Sequence, residues 1–281
     1  MTIRIAVLMT CHNRKNKTLS CLHALHQQVS IPDVTLKVYL VDDRCTDGTG
    51  EEVKSAYPKV IVLKGNGNLF WCGGMRLAWE EASKLDYDFF LWLNDDTILD
   101  NDSFNEILET YQEALKIEGK PVLVVGSCRL DVGSTDFSYG GRHSTGPVVP
   151  NGKIQSCSLI NGNAVLIPEA IFHAVGNLSA DYTHSMGDYD YGLRVIRNGN
   201  NCYTTRKYIA TCPRNPGIPA WCNPKLSFVK RWKQFHSPKG LNIKEYIKFR
   251  KRFWGGQWII FALKAYLKML SPSIYQKITG Q

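Results

Sequence analysis

The chain has 281 residues, 44% of them hydrophobic and 21% charged, a composition that excludes a disordered or repetitive protein and suits one large α/β domain with an extension, or at most two domains. Its net charge of +9 is uneven: from Lys225 to Lys277 the only acid is Glu245, so an anionic partner (phosphates, nucleic acid or anionic lipid) is expected there. The nine cysteines show neither a zinc-binding spacing nor a compact disulfide framework, and reduced thiols are expected.

The first hundred residues alternate between two periodicities. Ile3 to Thr10 reads as a strand, Cys11-His12-Asn13-Arg14 as a polar turn, and Lys15 to Gln28 as a helix through Leu19, Leu22 and Leu25. Leu36 to Val41 is a second strand ending in Asp42-Asp43, and Thr49 caps a helix beginning near Glu51. Val60 to Leu63 is a third strand. A glycine-rich loop from Gly65 to Gly74 then leads to a helix from Met75 to Lys84. Phe89-Phe90-Leu91-Trp92-Leu93 is an unbroken apolar run, as in a strand buried on both faces, and it runs straight into Asn94-Asp95-Asp96-Thr97. Strands alternating with helices imply βαβ units and a parallel sheet, whose ligands bind at the carboxyl ends of the strands. No GxGxxG follows the first strand and no GxxxxGK[ST] occurs, which argues against a dinucleotide oxidoreductase or a P-loop enzyme.

Beyond residue 100 the pattern loosens. Pro121 to Ser127 is a strand, Asp131 to Gly152 a loop or hairpin, Ser158 to Ile167 an apolar stretch holding a turn, and Pro168 to Val175 a short helix. Gly187 to Arg197 has a helical face through Leu193 and Ile196, with Asp188 near its start. Both acid pairs, Asp95/Asp96 and Asp188/Asp190, have a plain structural explanation as charges favoured at helix N-termini. Two such pairs on independent elements favour a shared site.

Four motifs in this order resemble the family 2 glycosyltransferases of the GT-A fold, over roughly residues 3 to 200. They are Val41-Asp42-Asp43 followed by Asp47-Gly48-Thr49; Asn68 followed by Gly73-Gly74; Asn94-Asp95-Asp96-Thr97; and Asn161-Gly162 followed by Gly187-Asp188-Tyr189-Asp190 and Arg194. The resemblance implies an α/β, Rossmann-like GT-A fold with a mostly parallel central sheet flanked by helices. A catalytic domain would span 1–220, with a nucleotide-sugar half at 1–100 and an acceptor half at 101–220. A helical basic-aromatic extension would follow at 221–281.

The family also implies an inverting transfer of a sugar from a nucleotide-sugar to an acceptor hydroxyl, with Mn²⁺ or Mg²⁺ as cofactor. Asp188 would be the general base and Asp96 the metal ligand. Thr10, Asn13, Arg14, Asp43, Asn68, Gly73, Gly74, Arg76 and Asp95 would line the donor site, with Asp43 on a uracil or thymine N3–H. Gly162 and Asp190 would face the acceptor; Trp71 is weighed as stacking on a sugar or base against a core aromatic, and Asn161 and Asn163 as contacts to acceptor hydroxyls against turn chemistry. The chemistry is coherent: a divalent cation neutralises the diphosphate leaving group, and one carboxylate takes the proton of the attacking hydroxyl.

The chain departs from the family in three places. Gly187 stands where an acid usually precedes the base, which predicts a less raised pKa for Asp188. Arg76 replaces an asparagine and is weighed as a diphosphate contact against a solvated helix residue. The segment Ala210 to Gly217 has no histidine where relatives carry a further metal ligand, and His236 is the candidate substitute.

Lys225 to Lys277 mixes basic and aromatic residues in a mostly helical stretch from Ile243 to Leu270. An anionic membrane surface is the expected partner; a helical subdomain packed on the catalytic domain is the alternative, and no nucleic-acid motif is present. The strand beginning at Ile3 leaves no signal peptide, and no stretch reads as membrane-spanning, so a cytoplasmic protein, peripheral on the inner membrane face, is expected. The competing functions are a nucleotidyltransferase and a non-catalytic glycan- or membrane-binding scaffold.

Overall fold

The structure, a computed structural model, describes residues 2–28, 33–214 and 217–279, with side chains described as far as Tyr275 at the C-terminal end. Asn215, Pro216 and the Lys277 side chain, which entered the sequence reading, lie outside the described residues. The first half alternates as expected: β1 (Ile3–Cys11), α1 (Lys15–His26), β2 (Val34–Asp42), α2 (Thr49–Ala56), β3 (Ile61–Lys64), α3 (Phe70–Ala82) and β4 (Phe89–Leu93). The two-residue strand β5 (Ile98–Leu99) leads into α4 (Ser103–Glu118) and β6 (Leu123–Arg129). The expected hairpin region becomes β7 (Phe137–Tyr139), β8 (Arg142–His143) and β9 (Gly146–Pro147), followed by β10 (Gln155–Cys157) and β11 (Ala164–Pro168). Then come α5 (Glu169–Val175), α6 (Gly187–Arg197), β12 (Cys202–Thr211) and four C-terminal helices: α7 (Phe228–Phe235), α8 (Ile243–Trp254), α9 (Trp258–Leu270) and α10 (Pro272–Thr279).

One sheet organises the chain, in the order β10-β12-β6-β11-β4-β1-β2-β3. β1 pairs in parallel with β2 and β4, β2 with β3, and β6 with β12. β11 lies antiparallel between β4 and β6. Its reversal brings its amino end, at Asn163-Ala164, to the carboxyl end of β4. The apolar runs divide by alternation. Ile5, Val7 and Met9 face one core with α1, α2 and α4, whereas Ala6 and Leu8 face another with Trp79 of α3 and Tyr191 of α6.

Three helix boundaries differ from expectation. α3 starts at Phe70 rather than Met75, so Gly73 and Gly74 lie in its first turns. The Asp43 carboxylate accepts the amide hydrogens of Leu69 and Phe70 at 3.0 and 3.1 Å and so does the work of a missing N-cap. At α2 the capping oxygen is that of Asp47, which accepts the Thr49 amide at 3.0 Å, and Thr49 is the first helical residue. The stretch 243–270 is broken at Gly255, whose φ of +50° no continuing helix adopts.

The C-terminal helices divide the two readings of the tail. α8 packs on α6 and the loop before it, where buried Phe249 meets Tyr182 and Tyr189, and Glu245 accepts the Thr183 amide at 3.0 Å. α9 instead leaves Ile259, Ile260, Leu263, Leu267 and Leu270 between 46% and 64% exposed. No helix among the described residues is long and apolar enough to cross a membrane.

Candidate active site

The carboxyl ends of β1, β2 and β4 open into one cleft. Thr10 is the last residue but one of β1, and a Cβ on Gly74 would sit 2.1 Å from its hydroxyl, so only glycine lets α3 cross that strand end. Asp43, almost fully buried after β2, accepts the Gly67 amide at 2.7 Å on Oδ1, while Oδ2 takes Leu69 and Phe70. The carboxylate thereby folds the glycine-rich loop around itself. Asn68 is exposed at the tip of that loop, and Gly73 packs against Leu69. Asn13 accepts the Thr46 amide at 2.7 Å and joins the turn after β1 to the turn after β2.

Asn13, Arg44, Phe70 and Met186, four of the six non-glycine residues with positive φ, stand at the turns around this cleft. Such strain persists where surrounding contacts over-determine the backbone, and it clusters at functional sites.

Asp95 and Asp96 follow β4 and separate at once. Asp95 is 4% exposed and receives Arg14 at 2.9 Å and the Thr18 hydroxyl at 3.3 Å. Burial pushes it up to about 6, against the pull of Arg14. Asp96 keeps surface toward the cleft. One oxygen is ion-paired by the other arm of Arg14, and the second receives the Cys212 thiol at 3.8 Å. Partly exposed, Asp96 offers the oxygen donors that a hard divalent cation takes, and such a cation would replace the Arg14 arm as its counter-charge.

His236 stands elsewhere. Its Nδ1 lies 2.9 Å from the Trp232 carbonyl, and its ring packs on Trp232 and Phe235 within the C-terminal helices. The side chain that meets Asp96 from the end of β12 is Cys212. It escaped the sequence reading because a lone cysteine carries no motif and looks like core.

Arg76 also departs from its diphosphate reading. Its guanidinium donates to the Ser179 carbonyl at 3.1 Å and ties α3 to the loop before α6. His184 in that loop was not anticipated. It stands beside Phe70, and burial lowers its pKa. A lone histidine carries no motif from which its place could be read.

Asp188 sits in the first turn of α6. It accepts the Tyr189 amide at 2.8 Å and the Gly162 amide at 3.2 Å, and Asn161 bonds it as well. Burial raises it to about 6, opposed by these donors. Beside it lies a pocket of about 510 Å³ lined by Asn161, Tyr189, Ser138, Arg142 and Arg214. A second pocket of similar size, bordered by Ile3, Val34 and α4, is at the amino ends of β1 and β2, away from these groups.

Asp190 is corrected by the structure. It is fully buried, and its oxygens are taken by Tyr182, Arg194 and Arg252 at 3.2, 2.7 and 2.7 Å, so it faces no acceptor. Trp71 is held at the junction. Its indole N–H donates to Asn94 at 2.6 Å, its ring stands edge-on to Trp92, and a Cβ on Gly162 would meet that ring at 2.4 Å.

A short chain of contacts connects the two halves. Asp188 accepts from Gly162; the next residue, Asn163, donates to Cys212 at 3.3 Å; and Cys212 reaches Asp96. The Asn163 carbonyl also accepts the Asn94 amide at 2.9 Å. The two aspartates thus belong to one end of one sheet.

The sequence pattern of the family described as glycosyl transferase family 2 matches residues 6–153, a little over half of the chain. The chain belongs to this family. S. aureus TarS superposes with a TM-score of 0.55 at 11% identity over 98% of this chain, which spans 50% of that chain. The S. aureus TarS 1-349 complex with UDP-GlcNAc gives 0.56 at 12% identity, covering 99% of this chain and 93% of that one. The mannosyltransferase PcManGT from Pyrobaculum calidifontis, in complex with GDP-Man and Mn²⁺, gives 0.55 at 12% identity over 100% of this chain and 80% of that one. At such identities the likeness establishes the fold, which for this family 2 chain is GT-A. Comparison with curated proteins gives no match.

Proposed function

We propose that this family 2 protein transfers a sugar, with inversion, from a nucleotide-sugar to a hydroxyl of a glycan acceptor, using a divalent cation. The observation that carries the reading is the contact chain from Asp188 through Gly162 and Asn163 to Cys212 and Asp96. Asp188 takes the proton of the acceptor hydroxyl as it attacks the anomeric carbon from the face opposite the leaving group. One base and one attack invert that centre. Backbone amides of Gly162 and Tyr189 hold the carboxylate in place, and its raised pKa suits a base working near neutrality. Asp96 would hold the cation, which neutralises the charge developing on the departing diphosphate. Arg14, poised between Asp95 and Asp96, supplies a guanidinium suited to phosphate oxygens.

For the base, Asp43 Oδ1 takes one amide and retains an acceptor position for the N3–H of uracil or thymine, which favours a UDP- or dTDP-sugar. The complexes of the structural neighbours contain UDP-GlcNAc and GDP-Man, so the screen must include all three nucleotides. The acceptor reading is a lipid-linked or surface polysaccharide precursor. The exposed apolar stripe of α9, set among lysines, supports attachment to an anionic membrane.

Thermal shift with UDP, dTDP and GDP, with and without Mn²⁺, tests the donor and the cation together. One nucleotide should stabilise only when Mn²⁺ is present, by about 2.7 kcal/mol at a hundred times its dissociation constant. A protein that no nucleotide stabilises would be the non-catalytic scaffold. Leu263→Glu should weaken pelleting with anionic vesicles without loss of fold, and unchanged pelleting would remove the membrane reading.

A further inference from the structure

The turn after β2 contains a second cluster of metal-ligating groups, separate from Asp96. The parallel register sets Cys11, the last residue of β1, beside Asp42, the last of β2. Three residues on, the chain reverses through Arg44, whose φ is +58°, and returns Cys45 toward the same point. The Cys11 Sγ, Cys45 Sγ and an Asp42 oxygen all lie within 4.8 Å of one another. The spacing of cysteines along the chain gave no sign of this, because the two thiols come from different strands.

We propose that Cys11, Cys45 and Asp42 form a binding site for a thiophilic divalent cation of the zinc type. The two sulfurs are 3.9 Å apart. Two thiolates on one tetrahedral zinc, each at ~2.3 Å, stand ~3.8 Å apart, so the pair is already at the right separation. The outer contacts are those a thiolate needs. The Asn13 amide donates to the Cys45 sulfur at 3.2 Å, and Asn13 adopts a φ of +53° to aim it. The Cys45 amide donates to Asp42 Oδ1 at 2.7 Å and fixes the carboxylate of the Asp-x-x-Cys turn. Cys45 and Asp42 are half-buried, so the cluster is reached from solvent, while Cys11 is enclosed.

Binding replaces the two thiol protons by the cation, with both protons leaving to solvent. Three protein ligands leave the fourth tetrahedral position open. The cation would clamp the β1–α1 turn to the β2–α2 turn and so fix Asn13, Arg14 and Asp43 relative to one another. Sulfur ligands separate this site from the cation at Asp96, which calls for hard oxygen donors.

Titration of the phosphine-reduced full-length protein with Co²⁺ or Cd²⁺ tests the site through thiolate-to-metal charge-transfer absorbance. One equivalent should saturate the band, and Zn²⁺ should displace it. Cys45→Ser, at a half-buried position that tolerates the change, should abolish the band and weaken zinc binding more than about 100-fold, since loss of an outer partner alone costs 10–100-fold. Cys212→Ser should leave the band intact. Absence of the band, its survival in Cys45→Ser, or its loss in Cys212→Ser alone would each overturn the proposal.

Discussion

The two acid pairs look alike in sequence and are used alike in space: each divides into one carboxylate facing the cleft and one turned into the protein. Asp96 and Asp188 reach the cleft, while Asp95 and Asp190 are 4% and 0% exposed and held by arginines. The geometry differs between the pairs. Asp95 and Asp96 are neighbours in the turn after β4, where Asp95 turns in to the Thr18 hydroxyl and Asp96 meets Cys212, with Arg14 reaching both. Asp188 and Asp190 are two apart on a helix, about 200° around its axis. In both cases the inward member anchors cationic side chains, Arg14 on one side and Arg194 with Arg252 on the other. An acid pair in a motif is therefore not evidence of two working groups.

The largest effect should come from Asp188→Asn, which keeps donor binding and loses roughly 10²–10⁴-fold in kcat; near-normal turnover would end its assignment as the base. The same change at Asp190 should act on stability instead. It leaves Arg194 and Arg252 without their shared counter-charge and should cost about 3 kcal/mol, read as a fall of roughly 5–10 °C in Tm. A variant as stable as the parent but inactive would reverse the roles drawn for that pair.

Asp96→Ala should abolish the Mn²⁺-dependent part of the nucleotide thermal shift, about 2.7 kcal/mol at saturating ligand. Affinity that still depends on Mn²⁺ would remove its metal role.

The smallest effect is graded with pH. Because burial holds Asp188 at about 6, its basic form is present above that value and is lost below it. The kcat/KM should therefore be flat above pH 7 and fall about tenfold per unit below pH 6. A profile flat down to pH 5 would mean that the proton goes elsewhere.

Much of the first hundred residues was legible. The apolar runs of β1 and β4 are long enough to be buried on both faces, so both read as central strands, and the acids that follow β2 and β4 are plain in the sequence. Asp43 was legible as an acid after β2, but the three backbone amides it accepts were not, because they depend on how the loop from Gly65 folds. Arg76 and His236 were misplaced because a cation near a glycine-rich loop and a histidine before a proline carry no direction. Arg76 turns to Ser179 and His236 packs on Trp232.

The amino-acid sequence by itself determined the succession of strands and helices, the two-sided burial of the central strands and the acidic residues at strand and helix ends. These are local properties, set by side-chain periodicity and by turn chemistry. Only the tertiary structure decided which acid of each pair is exposed, that Cys212 rather than a histidine meets Asp96, and that α8 docks on Asp190 through Arg252. The reversed strand β11, which carries Gly162 and Asn163 to the cleft, belongs with them. Each of these is a contact between residues far apart in the chain, fixed by how the sheet brings strand ends together and by which buried charge needs a partner.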